Sequence, residues 1–249
     1  MTDINYPKPP ITEAVIGFEF KDSKSIDDLS SITSKFQDCY PNSEHIQSID
    51  LDIQPSGHNN LVNNTNIHVN ANGGIRLSSL DMNKILLAWP NTLSISQLAP
   101  YSGWDAYFER FKHDWKIWKR TLGFRELKRV GLRYINRFDI PFIDGKIRHE
   151  DYINIYPKLP GDWPLHQYAL QLTLPLQNNI MAQINSAIIE SPLLNHLSIV
   201  FDLDLMNYSD PPLNDDGIFE LLEFMRHQKN EIFESVITDT SRRLFNGGI

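Results

Sequence analysis

The chain has 249 residues, 23 Lys and Arg against 31 Asp and Glu, a formal net charge of −8 and a single cysteine, Cys39. The acidic balance removes the diffuse positive field on which sequence-independent DNA binding rests, and one cysteine leaves neither an internal disulfide nor a Cys-rich zinc site. The opening MTDINYPKPP lacks the basic and apolar regions of a signal peptide, and no apolar run reaches the ~18 residues of a membrane helix, so a soluble, cytoplasmic protein without membrane association is expected.

Ile11–Phe20 follows a proline-rich start and alternates. Ala14, Ile16 and Phe18 fall on one side and Glu13, Val15, Gly17 and Glu19 on the other, which predicts a first strand. Over residues 25–40 the apolar Ile26, Leu29, Ile32, Phe36 and Tyr40 recur every three or four positions. That spacing predicts a helix, with Ser25 as its N-cap and Asp27 and Asp28 at its positive end. Residues 45–54 alternate strictly, Ile49, Leu51 and Ile53 against Ser48, Asp50, Asp52 and Gln54, and read as a half-buried strand. The Asn-rich stretch 56–66 reads as a loop, and Asn72-Gly73 as a hairpin turn, because both positions of such a turn take positive φ. Residues 84–98 supply further antiparallel strands. The clearest helix covers 103–122, where Trp104, Phe108, Phe111, Trp115, Trp118 and Leu122 share a face and Gly123 supplies the stop.

From residue 125 the order repeats. A long strand over 128–140 is followed by a short helix around 149–156, strands at 167–176, 180–190 and 196–206, and one long helix over about 215–245. The expected fold class is α+β, built from two β-α-β(n)-α units, 1–124 and 125–249, that form one compact body. Each unit carries an antiparallel sheet packed on a long helix, and the nearest architecture is a tandem TATA-binding-protein-like or helix-grip fold.

The strand RVGLRYINRFDIP is the most unusual segment. Arg129, Arg133 and Arg137 share one face at a spacing of ~13 Å, and Val130, Leu132, Tyr134, Asn136, Phe138 and Ile140 share the other. Arg125 leads toward the same row. Planar guanidinium groups in a row suit phosphate, nucleotide or nucleic-acid backbone, because each can form paired bonds to an oxyanion. The competing reading is a cross-strand ion-pair ladder with Glu13, Glu19, Asp50, Asp52, Asp202 or Asp204. Acidic residues populate the polar faces of several strands, and this favours the ladder.

The Asp50/Asp52 and Asp202/Asp204 pairs each put two carboxylates on one side of a strand and could ligate Mg²⁺ or Ca²⁺, but neither has a third ligand at a fixed spacing. Ion pairing is the better reading, and no metal is expected. The eight histidines make no HExxH pattern, and P-loop, GxGxxG and GxSxG motifs are absent, so no catalytic residue and no cofactor is assigned. Cys39 reads as packing. The aromatics of residues 103–122 read as core in preference to a base-stacking platform. The loop 157–164, with KLPGDW in it, is a candidate interaction edge.

Four stretches carry a resemblance: YPKPPITEAVIGFEF with Glu13, the PYSGW entry to the aromatic helix, GLRYINR with Gly131, Tyr134 and Asn136, and the closing F-x-x-x-ITD-x-x-R-x-x-F on Ile237, Thr238, Asp239 and Phe245. In these the chain resembles a sporadically distributed family of uncharacterised bacterial and archaeal proteins of similar length. The resemblance spans nearly the whole chain and transfers no reaction. Its patchy distribution implies a mobile gene, such as a component of phage defence or of a toxin–antitoxin or immunity system.

The expected function is a non-enzymatic binding module for a protein partner or small anionic ligand, with a homo-oligomer as a structural variant. The alternative is a nucleic-acid- or nucleotide-binding protein, in one form a metal-dependent nuclease using Arg129, Arg133, Arg137, Asp202 and Asp204. The acidic balance disfavours nucleic acid.

Overall fold

Alternation, capping and glycine placement decide where each element starts and stops in the computed structural model, which describes residues 6–54, 66–142, 148–161 and 167–248. Strand β1 (Ile11–Phe20) buries Ala14, Ile16, Phe18 and Phe20, the parity expected from its alternation. Helix α1 (Ile26–Phe36) is opened by a capping box in which the Ser25 side chain accepts from Asp28 N–H and the Asp28 carboxylate accepts from Ser25 N–H. It ends four residues before the expected point. Cys39 and Tyr40 both donate backbone N–H to the Phe36 carbonyl, and the turn carries Tyr40 into the core.

Strands β2 (Asn42–Gln54) and β3 (Asn66–Ser78) pair along their full length, from Asn42 opposite Ser78 to Gln54 opposite Asn66. The Asn72-Gly73 hairpin is therefore corrected: this dipeptide lies inside β3, opposite Ser48 and Gln47. The neighbouring Gly74, not the dipeptide's own glycine, serves a close approach. A Cβ on Gly74 would lie 2.6 Å from the Trp89 ring, and one on Gly73 would meet the Ile26 side chain of α1 at 3.6 Å. Apart from Asn66, the expected loop 56–66 lies almost wholly outside the described residues, and so do the side chains of Asp50 and Asp52.

Strands β4 (Lys84–Trp89) and β5 (Thr92–Leu98) form a tight hairpin, followed by helix α2 (Trp104–Leu122). Then come β6 (Leu127–Pro141), a 3-10 turn (His149–Asp151), β7 (Ala169–Pro175), β8 (Ile180–Glu190), β9 (His196–Asn207), α3 (Asp215–Val236) and α4 (Asp239–Phe245). Among the described residues there are nine strands in one antiparallel sheet, of order β2-β3-β4-β5-β1-β6-β9-β8-β7. The class is α+β. The strands β1 and β6, each the first of its half, are neighbours near the middle of the sheet, with Val15 opposite Arg133 and Gly17 opposite Gly131.

Helices α2 and α3 cover one face. Phe18 of β1 packs 4.9 Å from Trp115, Phe20 stacks on Trp118, and Phe219 of α3 meets Phe108 and Phe111 edge-on. The aromatics of α2 are core, as their spacing implies. Trp104 and Trp115 also donate their indole N–H to Glu223 and Asp215, cross-linking α2 to α3. No helix among the described residues is long and apolar enough to cross a membrane.

Two expectations in the second half need correction. The short helix over 149–156 is only the 3-10 turn, and the single helix over 215–245 is broken into α3 and α4. One cause explains both. Ile237 is extended at φ −80, ψ 152, and the freed backbone is taken up by the segment after the turn: Asn154 N–H donates to Val236, Thr238 N–H to Tyr152, and Ile153 bridges Ile237. Thr238 then caps α4 by accepting from Ser241 N–H, and its hydroxyl donates to the Asp151 carbonyl.

Candidate functional site

The arginine strand presents its two faces to different surroundings. On the face away from the helices, the carboxylate of Asp202 receives both Nε and a terminal N–H of Arg133 at 2.8 Å, and Asn185 adds a third bond at 3.0 Å. Arg129 donates to Asp204 at 3.1 Å. Arg137 pairs with Asp139, which also accepts from Ser198 at 2.6 Å. The register sets Arg133 opposite Asp204 and Ile135 opposite Asp202, so the Arg133–Asp202 bridge runs diagonally between β6 and β9. Asp202 and Asp204 are thus engaged by guanidinium groups. No group of three or more His, Cys, Asp or Glu among the described residues could hold a metal ion.

Burial is uneven along this ladder. The Asp202 side chain is 8% exposed and that of Arg133 45%. Burial pushes Asp204 up to about 6 against the opposing pull of Arg129 and Arg133, with the nearby Asp202 charge adding to the rise. The Asp202 hydrogen bonds hold the Arg133 pKa above its usual value, and the Glu13 charge adds to that. Gly131 has a geometric role: the Arg129 guanidinium lies where a Cβ would sit, 2.9 Å away. Arg125 is not part of the row. It is buried, donates to the Asp22 carboxylate and to the carbonyls of Asp22 and Pro90, and lies 4.0 Å over the Phe20 ring.

The opposite parity of the same motif leads to a cavity. Tyr134 and Asn136 point to the helix face, where they floor a cleft of about 1390 Å³ between the first turn of α2, the C-terminal half of α3 and residues 6–11. Asn136 is fixed by donating to the Phe201 carbonyl at 3.0 Å. The Tyr134 and Tyr101 hydroxyls lie 2.9 Å apart. Burial raises both phenols, Tyr101 to about 12, so both stay protonated at neutral pH. The pair has two O–H protons and uses one between them, which leaves one donor at the cleft floor.

The walls combine aromatic surface with charge. Lys229 lies 4.0 Å over the Tyr134 ring, and Arg226 lies 5.5 Å over Trp104 while pairing with Glu223. Arg242 binds Glu234 at 3.1 Å, and the Tyr6 hydroxyl donates to the same carboxylate at 2.9 Å. The entrance to α2 also opens here: Gly103, at φ 92, provides no side-chain cap, so the first N–H groups of a 19-residue helix sit at the cleft wall.

The proposed anion row and the cleft therefore share one strand but not one face. The motif residues divide accordingly, Glu13 and Gly131 with the ladder and Tyr134 and Asn136 with the cleft. Sequence reasoning missed Lys229 and Arg226, which sat in a stretch read only for its apolar face, and it placed Arg242 in the closing motif without a role. The available signal was parity, since Tyr134 and Asn136 are polar-tipped residues at core positions, and the Arg226 and Lys229 spacing of three puts both on one side of α3. A scan against protein-family models finds no match for this chain, and a search of curated proteins finds no relative.

Proposed function

We propose that the chain is a binding module that holds a small organic anion in the cleft between α2 and α3. One observation carries this reading: a concave site of about 1390 Å³ whose floor is a part-buried tyrosine hydroxyl pair and whose walls bring Lys229, Arg226 and a helix start without a side-chain cap against aromatic surface, with Asp105, Glu231 and Glu234 also on the lining. Ligand pockets of roughly 300–1,000 Å³ with a few convergent polar groups suit drug-sized molecules, and this cleft has room to spare. The aromatic walls take a flat or apolar body, and the helix start, Lys229 and the spare O–H take its negative end. No catalytic step is assigned to the site.

Calorimetric titration of the protein with a panel of nucleotides, sugar phosphates and aromatic carboxylates tests the reading. At least one is expected to bind, with affinity falling tenfold or more in Tyr101→Phe and Lys229→Ala. Failure of the whole panel, or equal binding by the variants, defeats it.

We further propose that the sheet is assembled from two similarly ordered units, 1–124 and 125–249, in the manner of a tandem TATA-binding-protein-like or helix-grip fold. Two features support this: the strand orders β2-β3-β4-β5-β1 and β6-β9-β8-β7, and the placement of α2 and α3 as the long helix after each. The motif resemblance supports a place for such a module in a prokaryotic defence or immunity system. Gene neighbourhood tests that place, since a consistent housekeeping neighbour would exclude it.

A further inference from the structure

At the opposite end of the α2–α3 pair from the cleft, a groove of about 600 Å³ is lined by Lys112, Lys116, Lys119 and Arg120 of α2, with Phe124 and Phe219 beside them. The chain as a whole carries −8, yet this groove holds four cations against a single carboxylate, Asp215. Lys119 bonds Asp215, and Lys112 bonds Glu109 at 2.8 Å. Lys116 and Arg120 differ. They are exposed, they sit four residues apart on one helix face, and among the described residues neither has a carboxylate within ion-pair reach. Like charges at that spacing oppose one another, which offsets what Arg120 gains from the negative end of α2. Phe124, next to the Gly123 stop, is 49% exposed and borders the same hollow.

We propose that this groove docks an acidic peptide segment of a partner protein. Carboxylates of the segment meet Lys116 and Arg120, and an apolar side chain between them covers Phe124 and Phe219. The dimensions favour a short peptide over an extended polyanion. From Lys112 to Arg120 the helix rises ~12 Å, a length spanned by about four residues of extended chain. A nucleic acid or an anionic bilayer would extend its contact beyond the patch, which the chain's net charge of −8 disfavours.

The test is selection from a display library of random 12-residue peptides on the intact protein, counter-selected on the double variant K116E/R120E. Both positions are exposed, so the variant folds, and an unchanged circular dichroism melt checks this. Expected is an enrichment of Asp and Glu together with an aromatic or aliphatic residue. A selected peptide, fluorescently labelled, is expected to lose at least tenfold in affinity on K116E/R120E and to weaken as salt rises. Peptides without acidic enrichment, equal binding to the double variant, or tighter binding to poly(U) RNA or to phosphatidylserine vesicles than to any selected peptide would each overturn the proposal.

Discussion

Replacing Arg133 by Ala separates a structural role for the arginine row from a binding role. The substitution removes both N–H bonds at 2.8 Å from Asp202, whose carboxylate is 8% exposed and would keep only the Asn185 bond. Breaking a buried pair costs about 3–5 kcal/mol, and exposed pairs are worth ~0–1. Arg133 is 45% exposed, so water can partly replace it, and the expected loss lies between these limits, at ~2 kcal/mol. For a chain of this size that corresponds to a fall in Tm of about 4–8 °C. Urea unfolding of the wild type, Arg133→Ala, Asp202→Ala and the double variant forms a cycle whose coupling should be ~2 kcal/mol. Binding of the cleft ligand should be unchanged in Arg133→Ala, since that side chain lies on the other face of the sheet. A coupling near zero together with lost ligand binding in a folded Arg133→Ala would show that the row is itself the site.

Asp204 has its pKa raised in the folded state to about 6 from an ordinary 3.8, so the native protein binds the extra proton more tightly than the unfolded chain. Its contribution to stability is therefore present below about pH 4 and lost as pH rises toward 6; Asp204→Asn should flatten the stability profile over that window in urea titrations at stepped pH. Gly74→Ala should destabilise by ~1–3 kcal/mol, because its Cβ would sit 2.6 Å from the Trp89 ring, whereas Gly73→Ala meets Ile26 at an ordinary 3.6 Å and should be neutral or slightly stabilising. Equal effects at the two positions in thermal melts would contradict the close-approach reading of β3. Thr238→Ala removes the cap of α4 and the bond to Asp151, at an expected ~1–2 kcal/mol; hydrogen exchange should quicken together at residues 239–245 and 151–154. Faster exchange confined to α4 would mean that the two segments are not joined through Thr238.

Local pattern and tertiary demand contributed differently to what could be read in advance. Ser25 was legible as a cap and β8 was legible to the residue, because capping chemistry and strict alternation are local signals. The class, α+β with antiparallel strands, followed from the same signals. Asn72-Gly73 misled because a turn dipeptide can also sit inside a ladder, and only the full-length pairing of β2 with β3, with Asn72 opposite Ser48 and Gly73 opposite Gln47, shows which applies. The break after Val236 was hidden because Ile237 and Thr238 are compatible with a helix, and the partner that stabilises the break lies more than 80 residues earlier, at 151–154. At the site, the face of each β6 residue was readable from parity. What each face met was not, since Asp202 and Asp204 reach the arginines through sheet pairing and the cleft is closed by helices remote in sequence.

The pairing of β6 with β9 also has a consequence for synthesis. β6 can dock on β1 as soon as it is made, but its other partner begins at His196, about 55 residues after Pro141. At ~5–20 residues per second, the nascent chain carries β6 as an open sheet edge for about 3–11 s. During that interval Asp202 and Asp204 do not yet exist, and Arg129 and Arg133 stand as charges along the exposed edge. Charged side chains there deter pairing with the wrong strand. The same residues that later tie β6 to β9 thus guard its place until β9 arrives.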